Sequence, residues 1–122
     1  MAHIISAPRL AQFIKSAFIA TGFENEDAEI TADLMTQADI SGQDGHGIFR
    51  LPQYIKRLQE GGMNPKPQFK ILSQRTATAL IDGDNGIGHL VMRHAADIAI
   101  KKAHTSGCLL YTSPSPRDNK AS

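Results

Sequence analysis

Glycine closes three successive runs of helical apolar spacing in this chain, at Gly22, Gly42 and Gly61-Gly62. That punctuation excludes a sandwich of strands and a continuous coiled coil, because each run lasts a few turns and then stops where a residue without Cβ turns cheaply. Leu10, Phe13, Ile14, Ala17 and Phe18 keep the i, i+3, i+4, i+7, i+8 spacing of one helix face, with Ser6 and Pro8 near its start. A second run begins near Asn25 and places Glu26, Asp27 and Glu29 in its first turn, where the helix dipole favours anions. It is expected to bury Ala28, Ile30 or Thr31, Leu34, Met35 and Ala38. The third run, Ile48, Leu51, Ile55 and Leu58, contains Pro52, and proline is easy only in a helix's first turn. Either this helix starts near Phe49 or a segment from Gly47 kinks at Pro52.

Beyond Gly62 the pattern changes. Asn64-Pro65-Lys66-Pro67 reads as an extended connector, since a residue before proline is pushed to β or polyproline geometry. Phe69 to Leu72 and Ala77 to Ile81 have the length and composition of strands, and Gln74-Arg75-Thr76 can close a hairpin between them. Asp82-Gly83-Asp84-Asn85-Gly86 reads as a turn. Ile87 to His104 reads as a helix with Val91, Ala95, Ile98 and Ala99 on one face, ending on Lys101, Lys102 and His104 as the macrodipole prefers. The fold class is therefore mixed α/β: N-terminal helices, then a short strand pair and a long helix.

At 122 residues the chain amounts to one ordinary domain or a piece of one. A hydrophobic share of 41% and a charged share of 20% place it among soluble globular sequences, and no apolar stretch is long enough to span a membrane. A net charge of +1 argues against a strongly basic nucleic-acid binder. The balance conceals an asymmetry: residues 1–45 carry 2 basic and 7 acidic side chains, whereas residues 46–107 carry 9 and 4. The second, positive part is the expected home of an anionic ligand. The single cysteine, Cys108, allows no internal disulfide, and no Cys/His cluster has zinc spacing, so a reducing, cytoplasmic location is expected. The first 23 residues hold Arg9 and Lys15 without an acid, as a mitochondrial presequence would, but Arg9, Gln12 and Lys15 interrupt any secretory apolar run.

The composition shifts again at Cys108, where CLLYTSPSPRD carries two Ser-Pro pairs that forbid regular structure. These eleven residues match what a transposase-type sequencing adapter encodes in this frame. Residues 1–107 are thus expected to be native and 108–122 an appended, non-native tail; the alternative is a native tail that binds proline-recognising modules.

The densest polar cluster is Asp39-Ile40-Ser41-Gly42-Gln43-Asp44-Gly45-His46-Gly47-Ile48-Phe49-Arg50, between the second and third helices. Three glycines in six residues permit close backbone approach to a ligand, and histidine exchanges protons near neutrality. If residues 46–50 are helical, His46 and Arg50 stand at i and i+4 and point the same way. Such a pair suits an α-hydroxy or α-keto acid: the guanidinium clamps the carboxylate while the imidazole handles the proton of the adjacent oxygen. The competing reading is a glycine-turned loop with a capping histidine and a solvated arginine.

Other candidates are weaker. Asp82-Gly83-Asp84-Asn85-Gly86-Ile87-Gly88 lies between a strand and a helix, where phosphate loops occur, but position 91 is Val, so G-x-G-x-x-G fails. It also lacks the twelve-residue calcium loop with its closing glutamate. His89 and His94 are five apart, off one helical face, and read as surface or half-buried side chains rather than joint metal ligands.

The stretches ADISGQDGHGIFRLPQYIKRLQEGGMNP at 38–65 and TATALIDGDNGIGHLVMRHAADIAIKKAHTSG at 76–107 resemble the malate/L-lactate dehydrogenase family of NAD(P)-dependent 2-hydroxyacid oxidoreductases. The shared pattern is a His-Gly after an Asp/Gly-rich turn, an arginine four residues on and a later D-G-D-N-G, and it runs from about Leu10 to Gly107. The resemblance implies that His46 donates or accepts the proton, that Arg50 binds the substrate carboxylate, and that Gly45 lies against the substrate. Many members have serine where this chain has Gly45, so a hydroxyl that could orient substrate or histidine is absent. It further implies NAD or NADP as cofactor, a small 2-hydroxy or 2-keto acid as partner, and a homodimer at full length. The family's next strand, Asn-His motif and nicotinamide-binding domain would follow Gly107, so residues 1–107 are expected to be an incomplete part of that fold, without turnover or measurable NAD(P)H binding alone. Two rival functions are reduction of a cyclic imine or diketo acid within the same family, and a small non-enzymatic helical interaction module.

Overall fold

The computed structural model describes residues 4–107. The segment assigned above to an appended tail lies outside the described residues. The elements are α1 (Ala7–Ala20), α2 (Asn25–Ile40), α3 (Leu51–Gln59), β1 (Lys70–Gln74), β2 (Ala79–Asp82) and α4 (Gly88–Ser106). This is the mixed α/β order expected from the spacing.

The core forms where α1 crosses α2. Ile14 and Phe18 of α1 are fully buried, and the Phe18 ring stacks on Phe23 at 4.7 Å between centroids. Opposite them α2 buries Ala28, Thr31, Ala32, Met35 and Thr36. Of the alternatives Ile30 and Thr31 it is Thr31 that is buried, while Leu34 and Ala38, expected inside, are only half-buried. The reason is that small residues let α2 approach α1 closely, and Thr31 hides its hydroxyl by donating to the Asp27 carbonyl at 2.8 Å. Phe13 also departs from its expected face and stays 60% exposed. In the first turn of α2, the Asp27 carboxyl is pushed up by partial burial and by the neighbouring Glu26 and Glu24 charges, which offset the dipole benefit read from the sequence.

Of the two readings left open at Pro52, the late start is the one observed. Two 3-10 turns, Asp44–His46 and Ile48–Arg50, precede α3, and Pro52 sits in its first turn, where its missing N–H costs nothing. Leu51, Leu58 and Met63 then close the core from below.

β1 and β2 pair antiparallel, Lys70 with Asp82 and Gln74 with Ala79, with a bulge between Ile71 and Ser73. Arg75 N–H donates to the Thr78 carbonyl at 2.8 Å to close the hairpin. Lys102 of α4 reaches across to the Arg75 carbonyl at 2.7 Å and Gln74 Oε1 at 3.2 Å. Asp84 and Asn85 turn the chain into α4 with φ of 51° and 55°, values that Asn and Asp tolerate better than other residues with a Cβ. Ile87 and Leu90 anchor α4 in the core, while Val91, Ala95, Ile98 and Ala99 are half-buried.

Candidate active site

The turn that carries His46 is shaped by the residues around it, and the His46 N–H donates to the Gln43 carbonyl at 2.9 Å. Asp39, in the last turn of α2, accepts a hydrogen bond from the Ile48 N–H at 2.9 Å through Oδ2, and Gly47 lies flat against the same carboxylate. A Cβ on Gly47 would collide with the Asp39 carboxyl group. The close approach anticipated from the glycines is therefore made at Gly47, to a side chain of the protein itself.

Gly47, at φ −99° and ψ −143°, separates the two 3-10 turns. The helical i, i+4 relation between His46 and Arg50 does not form, which corrects the conditional reading of the sequence. Arg50 instead folds back: its Nε–H donates to the Gly45 carbonyl at 2.9 Å and its Nη1 to Gln53 Oε1 at 3.0 Å. Gly45 and Arg50 are thus joined through the main chain. Both are exposed, and the guanidinium retains further donors for a carboxylate.

His46 lines a cleft of about 500 Å³ between α2, α3 and α4. Leu34, Tyr54, His89, Met92 and Arg93 share its wall, whereas Arg50 does not. The His89 ring stands edge-on to Tyr54 at 5.8 Å, and its Nδ1 is buried without a hydrogen-bond partner. Burial, and secondarily the charge of His46, pushes the His89 imidazole below the ordinary histidine value. A mostly apolar cleft with a few convergent polar groups is the usual form of a small-molecule site. Spacing gave Tyr54 and Arg93 no role and read His89 only as a surface or half-buried side chain, because Tyr54 of α3 and the His89–Arg93 pair of α4 lie on separate elements from His46 and from each other. His94, by contrast, packs its ring on Phe69 at 4.8 Å.

The Asp82–Gly88 loop is tied to the connector through Asp84. Its Asp84 Oδ2 accepts from Asn64 Nδ2 at 2.9 Å and from the Gln68 N–H at 3.0 Å, so the loop presents a carboxylate already engaged with the connector. Among the described residues no group of three or more His, Cys, Asp or Glu is placed to hold a metal ion. No helix among them is long and apolar enough to cross a membrane.

Comparison with known proteins gives the class first. The chain superposes on sulfolactate dehydrogenase from Methanocaldococcus jannaschii with a TM-score of 0.83 and 43% identity, over 85% of this chain and 30% of that one. It likewise superposes on delta1-piperideine-2-carboxylate reductase from Pseudomonas syringae with a TM-score of 0.77 and 27% identity, over 86% and 32%. In sequence, it is 38% identical to a malate dehydrogenase of Pyrococcus horikoshii over 99 residues, covering 81% of this chain and 28% of the relative. The fold is thus that of the N-terminal part of a malate or sulfolactate dehydrogenase. Residues 5–113 match the malate/L-lactate dehydrogenase family, and the chain belongs to it. It spans about a quarter to a third of the length of the relatives it matches.

Proposed function

We propose that the chain is the N-terminal part of a pyridine-nucleotide-dependent oxidoreductase that interconverts a 2-hydroxy acid and its 2-keto acid. The observation that carries this reading is a histidine at the cleft, next in the chain to the Gly47–Asp39 contact, in a chain of this family. His46 carries the proton of the C2 oxygen: neutral imidazole accepts it during oxidation and imidazolium returns it during reduction. Arg50 holds the substrate carboxylate, and Gly45 positions Arg50 through its carbonyl. The cofactor, NAD or NADP, supplies the hydride chemistry. The complete enzyme is proposed to be a cytoplasmic homodimer, with residues 108–122 of this chain a translated adapter.

The test is keto-acid-dependent oxidation of NADH or NADPH by the complete enzyme, with oxaloacetate, pyruvate and sulfopyruvate as probes. Arg50→Gln should raise KM for the acid by about tenfold to a hundredfold, the worth of a charge-assisted hydrogen bond, and leave the cofactor's KM within about twofold. An unchanged KM for the acid would remove Arg50 from the site. The structural likeness to a piperideine-carboxylate reductase favours a second reading, reduction of a cyclic imine, in which the same two side chains serve proton and carboxylate. Turnover of a cyclic imino acid in preference to every keto acid would select it.

A further inference from the structure

Of the polar side chains of the cleft that the proposed reaction leaves idle, His89 has the most unusual setting. Its ring is half-buried against the edge of Tyr54, and Nδ1 is sealed off with no partner. An imidazolium would leave a buried N–H donor unpaired at Nδ1, which protein interiors avoid more strictly than a bare acceptor. The groups that face it from the surrounding elements are His46 from the 3-10 turn, Tyr54 from α3 and Arg93 from α4, while α2 contributes only Leu34 and Ala38. None of these is an anion that would favour the charged ring. The hydrogen of the neutral ring therefore belongs on Nε2, the nitrogen with access to the cleft.

We propose that His89 is a substrate-binding residue of this site, donating the hydrogen on Nε2 to an oxygen of the bound acid beside His46. The inference rests on the 2-hydroxy acid reading above. Two imidazoles then share one cleft with different tasks: His46 changes charge as the proton moves, and His89 donates without changing charge. Leu34 and Met92 supply the apolar wall beside the two imidazoles.

Two measurements decide the matter. Long-range proton–nitrogen spectra of the 122-residue chain should show His89 with hydrogen on Nε2, remaining neutral as pH falls through about 6.5, where a free imidazole takes its proton. Hydrogen on Nδ1, or protonation at or above that pH, overturns the proposal whatever the enzyme does. In the complete enzyme, His89→Leu should lower kcat/KM for the keto acid by about tenfold to a hundredfold through a raised KM, while His89→Gln, which keeps a donor, stays within about threefold. Equal losses in both variants would mark a packing role and overturn the proposal. A wild-type enzyme that turns over no hydroxy, keto or imino acid would sink the functional reading itself, and this inference with it.

Discussion

Gly47→Ala should lower the stability of the chain by about 2–4 kcal/mol, because the added methyl enters space already filled by the Asp39 carboxyl group. The carboxylate must swing away, and it then gives up the Ile48 N–H that it accepts at 2.9 Å. Overpacking and a lost charged hydrogen bond add at one point, and in a domain of this size the melting temperature should fall by roughly 10–20 °C. Asp39→Ala removes the acceptor without the collision and should cost less, about 1–2 kcal/mol. The double variant should recover part of the Gly47→Ala loss, since the two changes act on one contact. Melting of Gly47→Ala within about 2 °C of the parent would show that the contact holds nothing in place. Because the same contact sets the break between the two 3-10 turns, its loss should also displace His46 from the cleft.

Acidification should destabilise the chain through His89. Its folded value is lowered, so above about 6.5 the folded and unfolded states are both neutral there and the group is silent. Below that pH the unfolded chain binds the proton and the folded chain does not, and stability falls until the folded value is reached. His89→Gln should flatten this part of the melting profile; an unchanged slope would assign it to other groups.

The helices were legible in the sequence because their apolar spacing and glycine stops are local signals. The register of α2 was less so: Leu34 and Ala38 fit the stripe as well as Ala32 and Thr36 do, and only packing against α1 chooses between them. His46, Gly45 and Arg50 stood out as a cluster, but their geometry did not. A helix across 46–50 would have aligned the histidine and the arginine, yet Gly47 takes a conformation dictated by Asp39, eight residues earlier, and that contact has no signature in spacing. The cleft was invisible for a related reason. His89 and Arg93 join His46 and Tyr54 around the cleft only after the hairpin has brought α4 back beside α2.

The largest kinetic effect is expected at His46. In the complete enzyme His46→Asn keeps a polar group of similar size but cannot take and return a proton, so the chemical step should slow by about 10²–10⁴, the usual worth of a positioned general acid or base. The loss should fall on kcat, and on kcat/KM to a similar degree, because the proton moves in the transition state and not on binding. Cofactor affinity should stay within about twofold, since His46 is assigned the substrate proton and not the dinucleotide. His46 is exposed and ends a short turn, so its replacement should leave the melting temperature within a few degrees of the parent. The decisive measurement is the single-turnover rate of keto-acid reduction with bound NADH or NADPH, compared between the parent enzyme and His46→Asn. A hundredfold or greater loss with intact cofactor binding is the predicted result; a rate within about twofold of the parent would contradict the assignment of this cleft as the catalytic site.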